Sequence, residues 1–239
     1  AKSASAAGVG GICGKASWAS FLQCANNAAV SGRQYVGGIL GKQENANKPV
    51  TIEQSCNSGA ITATKTSYTY AGGIVGQLPS GTLGKASSIV SCYNVGTVNV
   101  GSGNYAGGIV GQLQGGTNAA DGEARMENCY SSGAVIGSDV GGLMGMPNTI
   151  ASSTKTYKTY IKNSFSTVSP LVSSKGTVGG TDYYTYQDAS GAKADIATGV
   201  VTDMTTGDFL AKINNGGNAF VKGEVSPVLA WEKGGSQPA

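Results

Sequence analysis

The chain has 239 residues, of which 39 are glycine and only 12% are charged, and its net charge is +3. Ordinary domains carry about 25% charged residues and about 7% glycine, so this composition favours short strands and tight turns over helices. The positive charge is weak and dispersed, which predicts no nucleic-acid partner. Because no apolar run approaches about 18 residues, no membrane insertion is expected of this segment.

A five-residue core recurs along the chain at a nearly constant spacing. It consists of two glycines, a large apolar residue, a second apolar residue and a third glycine, and its copies are Gly10–Gly14, Gly37–Gly41, Gly72–Gly76, Gly107–Gly111 and Gly141–Gly145. Successive copies start 27, 35, 35 and 34 residues apart. A period of this size is typical of a chain that stacks one structural unit on the next.

A second pattern of ten residues lies between the glycine cores. Its copies are at 21–30, 52–61, 89–98 and 126–135, and a partial fifth copy is at 161–166. One of its positions holds Asn26, Asn57 and Asn94, which predicts a ladder of amide side chains with a structural role. Another holds Cys92 and Cys129. These two are expected to be buried thiols, because stacked parallel side chains rarely have the geometry of a disulfide.

Each unit contains short β-type runs separated by turn residues and no helical pattern. Residues 1–180 are therefore predicted to form an all-β parallel β-helix, or β-solenoid, of about five to six coils, with each strand pairing with its counterpart in the next coil. A β-sandwich is the alternative. A small apolar residue precedes each Gly-Gly pair and a large one follows it, so a β-bulge is expected there to turn both inward.

Residues 181–239 depart from the repeat. The run 206–216 has a helix start, an apolar spacing and an Asn/Gly stop, which predicts one short helix. An open coil end would expose apolar surface and unpaired strand edges, so this segment is interpreted as a C-terminal cap that is continuous with the solenoid and closes its end.

The glycine core, followed by Ser/Asn-Cys-Tyr-x-x-Gly-x-Val, resembles the GLUG repeat family. Such repeats occur in large exported bacterial proteins, including adhesins and the non-catalytic regions of immunoglobulin A proteases. The segment 208–231 is similar to the one that closes these arrays. The resemblance implies a bacterial, cell-surface or secreted protein, and it carries over no catalytic residue.

The residues that would perform chemistry are scattered. The chain has no histidine, which removes Ser-His-Asp triads and the usual zinc sites, so no enzyme activity and no cofactor are expected. The densest acidic group is Asp121, Glu123 and Glu127, a weak calcium candidate. The alternative interpretation is a solvated loop beside a coil.

Tyr35, Tyr70 and Tyr105 occupy one position of the repeat. Asp139 and Thr177 replace tyrosine in later copies, so this position is expected to face water. A row of exposed tyrosines would stack on sugar rings or contact a protein, and these three residues are the predicted ligand-binding site. The alternative is that the rings shield the edge of the coil.

The sequence therefore predicts a non-enzymatic, adhesin-like module of an extracellular or cell-surface protein. It would be part of a longer chain and would contact host or matrix proteins or glycans through loops and outward faces. Two alternatives stay open: a carbohydrate-binding module that uses the tyrosine row, and a non-catalytic region of a secreted hydrolase or protease.

Overall fold

Five parallel sheets dominate the computed structural model, which describes residues 8–65, 68–80, 85–101, 104–115, 123–146, 159–173, 177–178, 181–182 and 199–234. We name the sheets A to E in the order in which the chain visits them. Sheet A consists of Gly8–Gly10, Tyr35–Gly37, Tyr70–Gly72, Tyr105–Gly107 and Asp139–Gly141. Sheet B consists of Cys13–Ala16, Leu40–Gln43, Val75–Pro79, Val110–Gln114 and Met144–Met146.

The other three sheets complete each turn of the chain. Sheet C consists of Ala19–Leu22, Val50–Glu53, Ser87–Val90, Ala124–Glu127 and Thr159–Lys162. Sheet D consists of Ala25–Asn26, Cys56–Asn57, Tyr93–Asn94, Tyr130–Ser131, Phe165–Ser166 and Gly199–Val200. Sheet E consists of Val30–Gly32, Ile61–Ala63, Val98–Val100 and Val135–Ile136.

The chain passes through the sheets in the same order in every coil. We number the coils 1 to 5 by residues 8–32, 35–63, 70–100, 105–136 and 139–166. All neighbouring strands of sheets A to E pair in parallel, and equivalent residues are aligned, as Tyr35, Tyr70 and Tyr105 are in sheet A. This pairing confirms the predicted all-β solenoid and rules out the β-sandwich.

The interior is divided into two apolar compartments. The larger one lies between sheets B and C and contains Ile39, Ile74 and Ile109, all completely buried. The smaller one lies between sheets A and E and contains Val36 and Ala71. The complete burial of one valine or isoleucine side chain stabilises the fold by about 1.5–3 kcal/mol.

A column of amide side chains separates the two compartments. In coils 1 to 3 the second glycine of the core lies against it, and a β-carbon on Gly38 would lie 2.5 Å from the Asn57 side chain. In coils 4 and 5, Ser131 and Ser166 take the place of the asparagine. The expected bulge is therefore wrong. The Gly-Gly pair is a corner between sheets A and B, so Val36 and Ile39 both point inward but into different compartments. Because glycine has no β-carbon, this corner can approach the asparagine side chains closely.

The predicted amide ladder is confirmed. Asn26 Nδ2 donates to Asn57 Oδ1 at 2.7 Å, and Asn57 Nδ2 donates to Asn94 Oδ1 at 2.7 Å. Each amide nitrogen also donates to a backbone carbonyl two residues further on, at 2.8 Å. These bonds satisfy buried polar groups that would otherwise destabilise the interior.

The two ends of the stack differ. After coil 5, the Gly142 amide donates to Pro170 O at 2.7 Å and the Leu143 amide to Leu171 O at 2.8 Å, so the segment 168–173 covers that end of the larger compartment. At coil 1, by contrast, Ile12 is 50% exposed, although Ile39 directly above it is completely buried.

The segment 201–234, which we call the side segment, lies along the flank of the stack. It contains the helix Gly207–Asn214, which confirms the predicted helix, the antiparallel strands Phe220–Val221 and Val228–Leu229, and the 3-10 helix Ala230–Lys233. Thr206 Oγ1 accepts from the Phe209 amide at the helix start. No helix in the described part of the chain is long and apolar enough to cross a membrane.

Outward residues of sheet D hold the side segment in place. Tyr130 and Phe165 pack edge-on against Phe209, at ring-centroid distances of 5.8 and 5.4 Å. Trp231 Nε1 donates to Gln54 O at 2.8 Å, which places the far end of the segment at coil 2. Within the described part of the predicted cap, Gly199–Val200 pair with Phe165–Ser166 and extend sheet D beyond coil 5. The side segment, by contrast, lies along the flank and not across the end, and it covers the outward aromatic side chains of sheet D. The domain boundary between residues 180 and 181 stays a prediction, since residue 180 lies outside the described residues.

Candidate functional site

The predicted tyrosine row is one continuous stack. The rings of Tyr35 and Tyr70 lie 5.7 Å apart at an interplanar angle of 10°, and those of Tyr70 and Tyr105 lie 5.5 Å apart at 9°. Asp139 follows in register after Tyr105. Tyr70 is only 9% exposed, so the expectation that the whole row faces water is wrong at its centre. The ring faces cover one another because parallel strands place equivalent side chains at stacking distance.

Burial governs the electrostatics of this row. It raises the pKa of Tyr70 to about 12, with a smaller contribution from the neighbouring phenols, and it also raises the pKa of Tyr35. Lys42 Nζ lies 4.6 Å from the centroid of the Tyr35 ring, and burial, followed by the charge of Lys15, lowers the pKa of Lys42. The row presents ring edges and hydroxyl groups rather than open ring faces.

The acidic group is only partly described. Asp121 lies outside the described residues. The Glu123 carboxylate accepts hydrogen bonds from the Arg125 guanidinium, which in turn lies 5.8 Å from the Tyr160 ring centroid. Glu127 is aligned with Lys162 of the next coil. The Glu123 carboxylate is thus already paired with a cation of the protein itself, and no cluster of three metal-ligating side chains is found in the part of the chain that the structure describes.

All five cysteines are free thiols. Cys92 and Cys129 are buried in the larger compartment, as predicted, and each Sγ donates to the carbonyl two residues earlier at 3.2 Å. Burial raises the pKa of Cys92 well above its ordinary value. Such thiols are packing groups, because the reactive form of cysteine is the thiolate.

A small cavity of about 70 Å³ lies in the side segment. Met204, Leu210 and Lys222 are among the residues that line it. Sites for drug-sized ligands measure about 300–1,000 Å³, so this cavity has room for a few water molecules only.

Sequence reasoning missed the exposed ring of Trp18. This residue lies in the two-residue turn between sheets B and C of coil 1 and is 58% exposed. Lys85, from the corresponding connection of coil 3, places its Nζ 5.8 Å from the centroid of the Trp18 indole. The available signal was the tryptophan itself, a large apolar side chain in a turn too short to bury it.

The inward and outward columns of the same sheet behave differently. In sheet C one of the two inward columns is apolar in every coil: Phe21, Ile52, Ile89, Met126 and Ile161. The outward column changes its chemistry from coil to coil: Ser20, Thr51, Ser88, Arg125 and Tyr160. The fold thus presents varied side chains on a uniform frame.

Residues 102–136, which include coil 4, match the family model of the GLUG motif. The chain carries the GLUG repeat. This match confirms the resemblance inferred from the glycine cores. A comparison with curated proteins gives no match.

A similar solved structure is that of a "putative immunoglobulin A1 protease" from Bacteroides ovatus. It shares 24% sequence identity with this chain, with a TM-score of 0.57, over 92% of this chain and 69% of that one. At this identity the similarity supports the solenoid fold and carries no information about activity.

Proposed function

We propose that this chain is a non-enzymatic, adhesin-like module of an exported bacterial protein, located at the cell surface or secreted. Its solenoid is a rigid frame, and its outward columns and loops contact host or matrix proteins or glycans. The observation that carries the proposal is the contrast within sheet C between a uniform inward column and a varied outward one.

Rigidity supports the same proposal. The stacked amides of Asn26, Asn57 and Asn94 join coils 1 to 3, and the stacked rings of Tyr35, Tyr70 and Tyr105 join coils 2 to 4. These four coils are therefore fixed to one another by side chains as well as by strand pairing. A frame that does not deform holds its outward side chains in a preset arrangement, which lowers the entropic cost of binding.

The test is to incubate the purified chain with immobilised matrix proteins, immunoglobulin A and a glycan panel, and to measure both retention and cleavage. We expect retention without cleavage. We also expect that replacing the outward pair Arg125 and Tyr160 with serine changes retention while the thermal stability stays within a few degrees. Cleavage of any member of the panel would overturn the proposal.

The second candidate is a non-catalytic region of a secreted hydrolase or protease. The match of residues 102–136 to the GLUG motif favours it, because repeats of this kind occur in the non-catalytic regions of such proteins. If it is correct, the full-length parent protein cleaves its substrate, and a parent without this module retains the cleavage rate but loses attachment to the substrate-bearing surface. For the carbohydrate-binding alternative, Tyr35, Tyr70 and Tyr105 offer their ring edges, and a triple replacement with alanine would abolish sugar binding.

A further inference from the structure

The turn that carries Trp18 is much shorter than the connections above it. Two residues link sheets B and C in coil 1, whereas residues 44–49 do so in coil 2 and residues 80–86 in coil 3. The Glu44 amide donates to Ala16 O at 2.8 Å, and Asn45 Nδ2 donates to Ser17 Oγ at 3.3 Å. The coil 2 connection is thus fastened over the short turn, and Trp18 lies beside the step that it forms.

Trp18 is held in an unfavourable backbone conformation. Its φ is +52°, a left-handed value that is rare for bulky residues and costs about 1 kcal/mol or more. The strain here is not offset by burial, because more than half of the side chain contacts water.

Lys85 supplies a positive charge next to this ring. The ion pairs among the described residues are Lys15–Glu44, at 3.8 Å, and Arg125–Glu123, so Lys85 belongs to neither. Glu44, an acidic residue of the coil 2 connection, is already paired with Lys15. The step therefore combines a flat apolar surface with an ammonium group that has no carboxylate partner in the described part of the chain.

We propose that Trp18 and Lys85 bind a carboxylated sugar residue of an acidic glycan. The apolar face of the pyranose ring packs on the indole, and the carboxylate pairs with the Lys85 ammonium. This inference rests on the proposed function, since it names the ligand class for one of the outward surfaces.

The surroundings favour a sugar over a protein partner. A stable protein interface buries about 800 Å² on each partner and uses several anchoring side chains, whereas the step has one aromatic ring. Beside the Lys15–Glu44 ion pair, the nearby polar groups include hydroxyls and an amide, on Ser17, Asn45, Ser20 and Thr51, and Thr51 Oγ1 donates to Ser20 Oγ at 3.0 Å. Hydroxyl and amide groups match the alternating donors and acceptors of a sugar.

The test uses a glycan array that presents uronate- and sialate-terminated glycans beside their neutral and methyl-esterified counterparts. The unmodified chain is expected to be retained by carboxylated glycans and not by their methyl esters. Trp18→Asn keeps a residue that tolerates the left-handed turn and removes the ring, and it should reduce retention about tenfold or more. Lys85→Gln should remove the preference for the free acid over the methyl ester.

Tyr68 provides a matched control. It is 70% exposed, its φ is +53°, and no cation–ring contact of the described residues involves it. Tyr68→Asn should leave retention unchanged. Equal retention of Trp18→Asn and the unmodified chain, a preference for neutral or sulfated glycans, or no retention by any carboxylated glycan would overturn the inference. Binding to matrix or host proteins in that last case would leave the proposed function standing, whereas cleavage would overturn the function itself.

Discussion

Replacing Asn57 with alanine should cost a large part of the stability of the solenoid. Asn57 is completely buried, and its side chain makes three hydrogen bonds: to Gly59 O at 2.8 Å, to Asn94 Oδ1 at 2.7 Å and from Asn26 Nδ2 at 2.7 Å. The alanine variant removes all three bonds, although Asn26 Nδ2 keeps its bond to Ala28 O and Asn94 Oδ1 keeps the one from the Gly96 amide. At about 0.5–1.5 kcal/mol for each bond removed, the free energy of unfolding should fall by about 1.5–4.5 kcal/mol, against a typical total of about 5–15 kcal/mol.

The measurement is denaturant unfolding followed by circular dichroism. Asn27→Ala is the control, because this neighbouring asparagine is exposed and accepts a single hydrogen bond from Ser58 Oγ, so its loss should cost less than about 0.5 kcal/mol. Asn57→Asp keeps the shape and removes the donor, and it should destabilise the fold at neutral pH at least as much as alanine does. A change for Asn57→Ala no larger than that for Asn27→Ala would refute the ladder as a source of stability.

Three further outcomes follow from the same structure. Gly73→Ala should prevent folding or lower stability by several kcal/mol, because a β-carbon there would lie 2.2 Å from both the Asn94 side chain and a backbone oxygen. Gly101→Ala is the control: the nearest atom to a β-carbon at that position is 3.7 Å away, so thermal unfolding should be nearly unchanged. Tyr93→Phe removes the hydroxyl that donates to the Glu232 carboxylate at 2.9 Å, so limited proteolysis should release the side segment faster, and an unchanged cleavage rate would contradict this role. Burial raises the pKa of Tyr70 to about 12 from an ordinary value near 10. Between these two pH values the folded state keeps a proton that the unfolded state loses, so the stability of the fold should decrease as the pH rises from about 10 to 12. An alkaline titration followed by absorbance at 295 nm would contradict this if Tyr70 ionised near pH 10.

The period of the repeat was sufficient to predict which residues pair. The alignment of Tyr35 with Tyr70 and Tyr105, and of Asn57 with Asn94, follows directly from equal spacing in a parallel stack. The glycine core was predicted at the right place but with the wrong geometry. The sequence pattern shows only that the apolar residues before and after the glycine pair both point inward. A bulge within one strand and a corner between two strands produce this pattern equally well.

Other features depend on contacts that no local pattern contains. Gln54 and Ser91 occupy the left-handed corner between sheets C and D, with φ of +44° and +50°, although neither residue type favours that conformation. The position of the side segment depends on the outward direction of Tyr130 and Phe165, which the sequence pattern does not distinguish from the inward direction. The pairing of Trp18 with Lys85 joins residues two coils apart, and only the stacked structure brings them together.

The side segment has a consequence for how this protein can evolve. Solenoids ordinarily gain or lose whole repeats, because each coil contacts only its neighbours. Here the segment contacts Phe165 in coil 5 and Gln54 in coil 2 at the same time, so its length must match the distance between them. Inserting or deleting one coil would shift one of these anchors by about 4.8 Å and break the match. The segment is thus a molecular ruler that fixes the number of coils between coil 2 and coil 5.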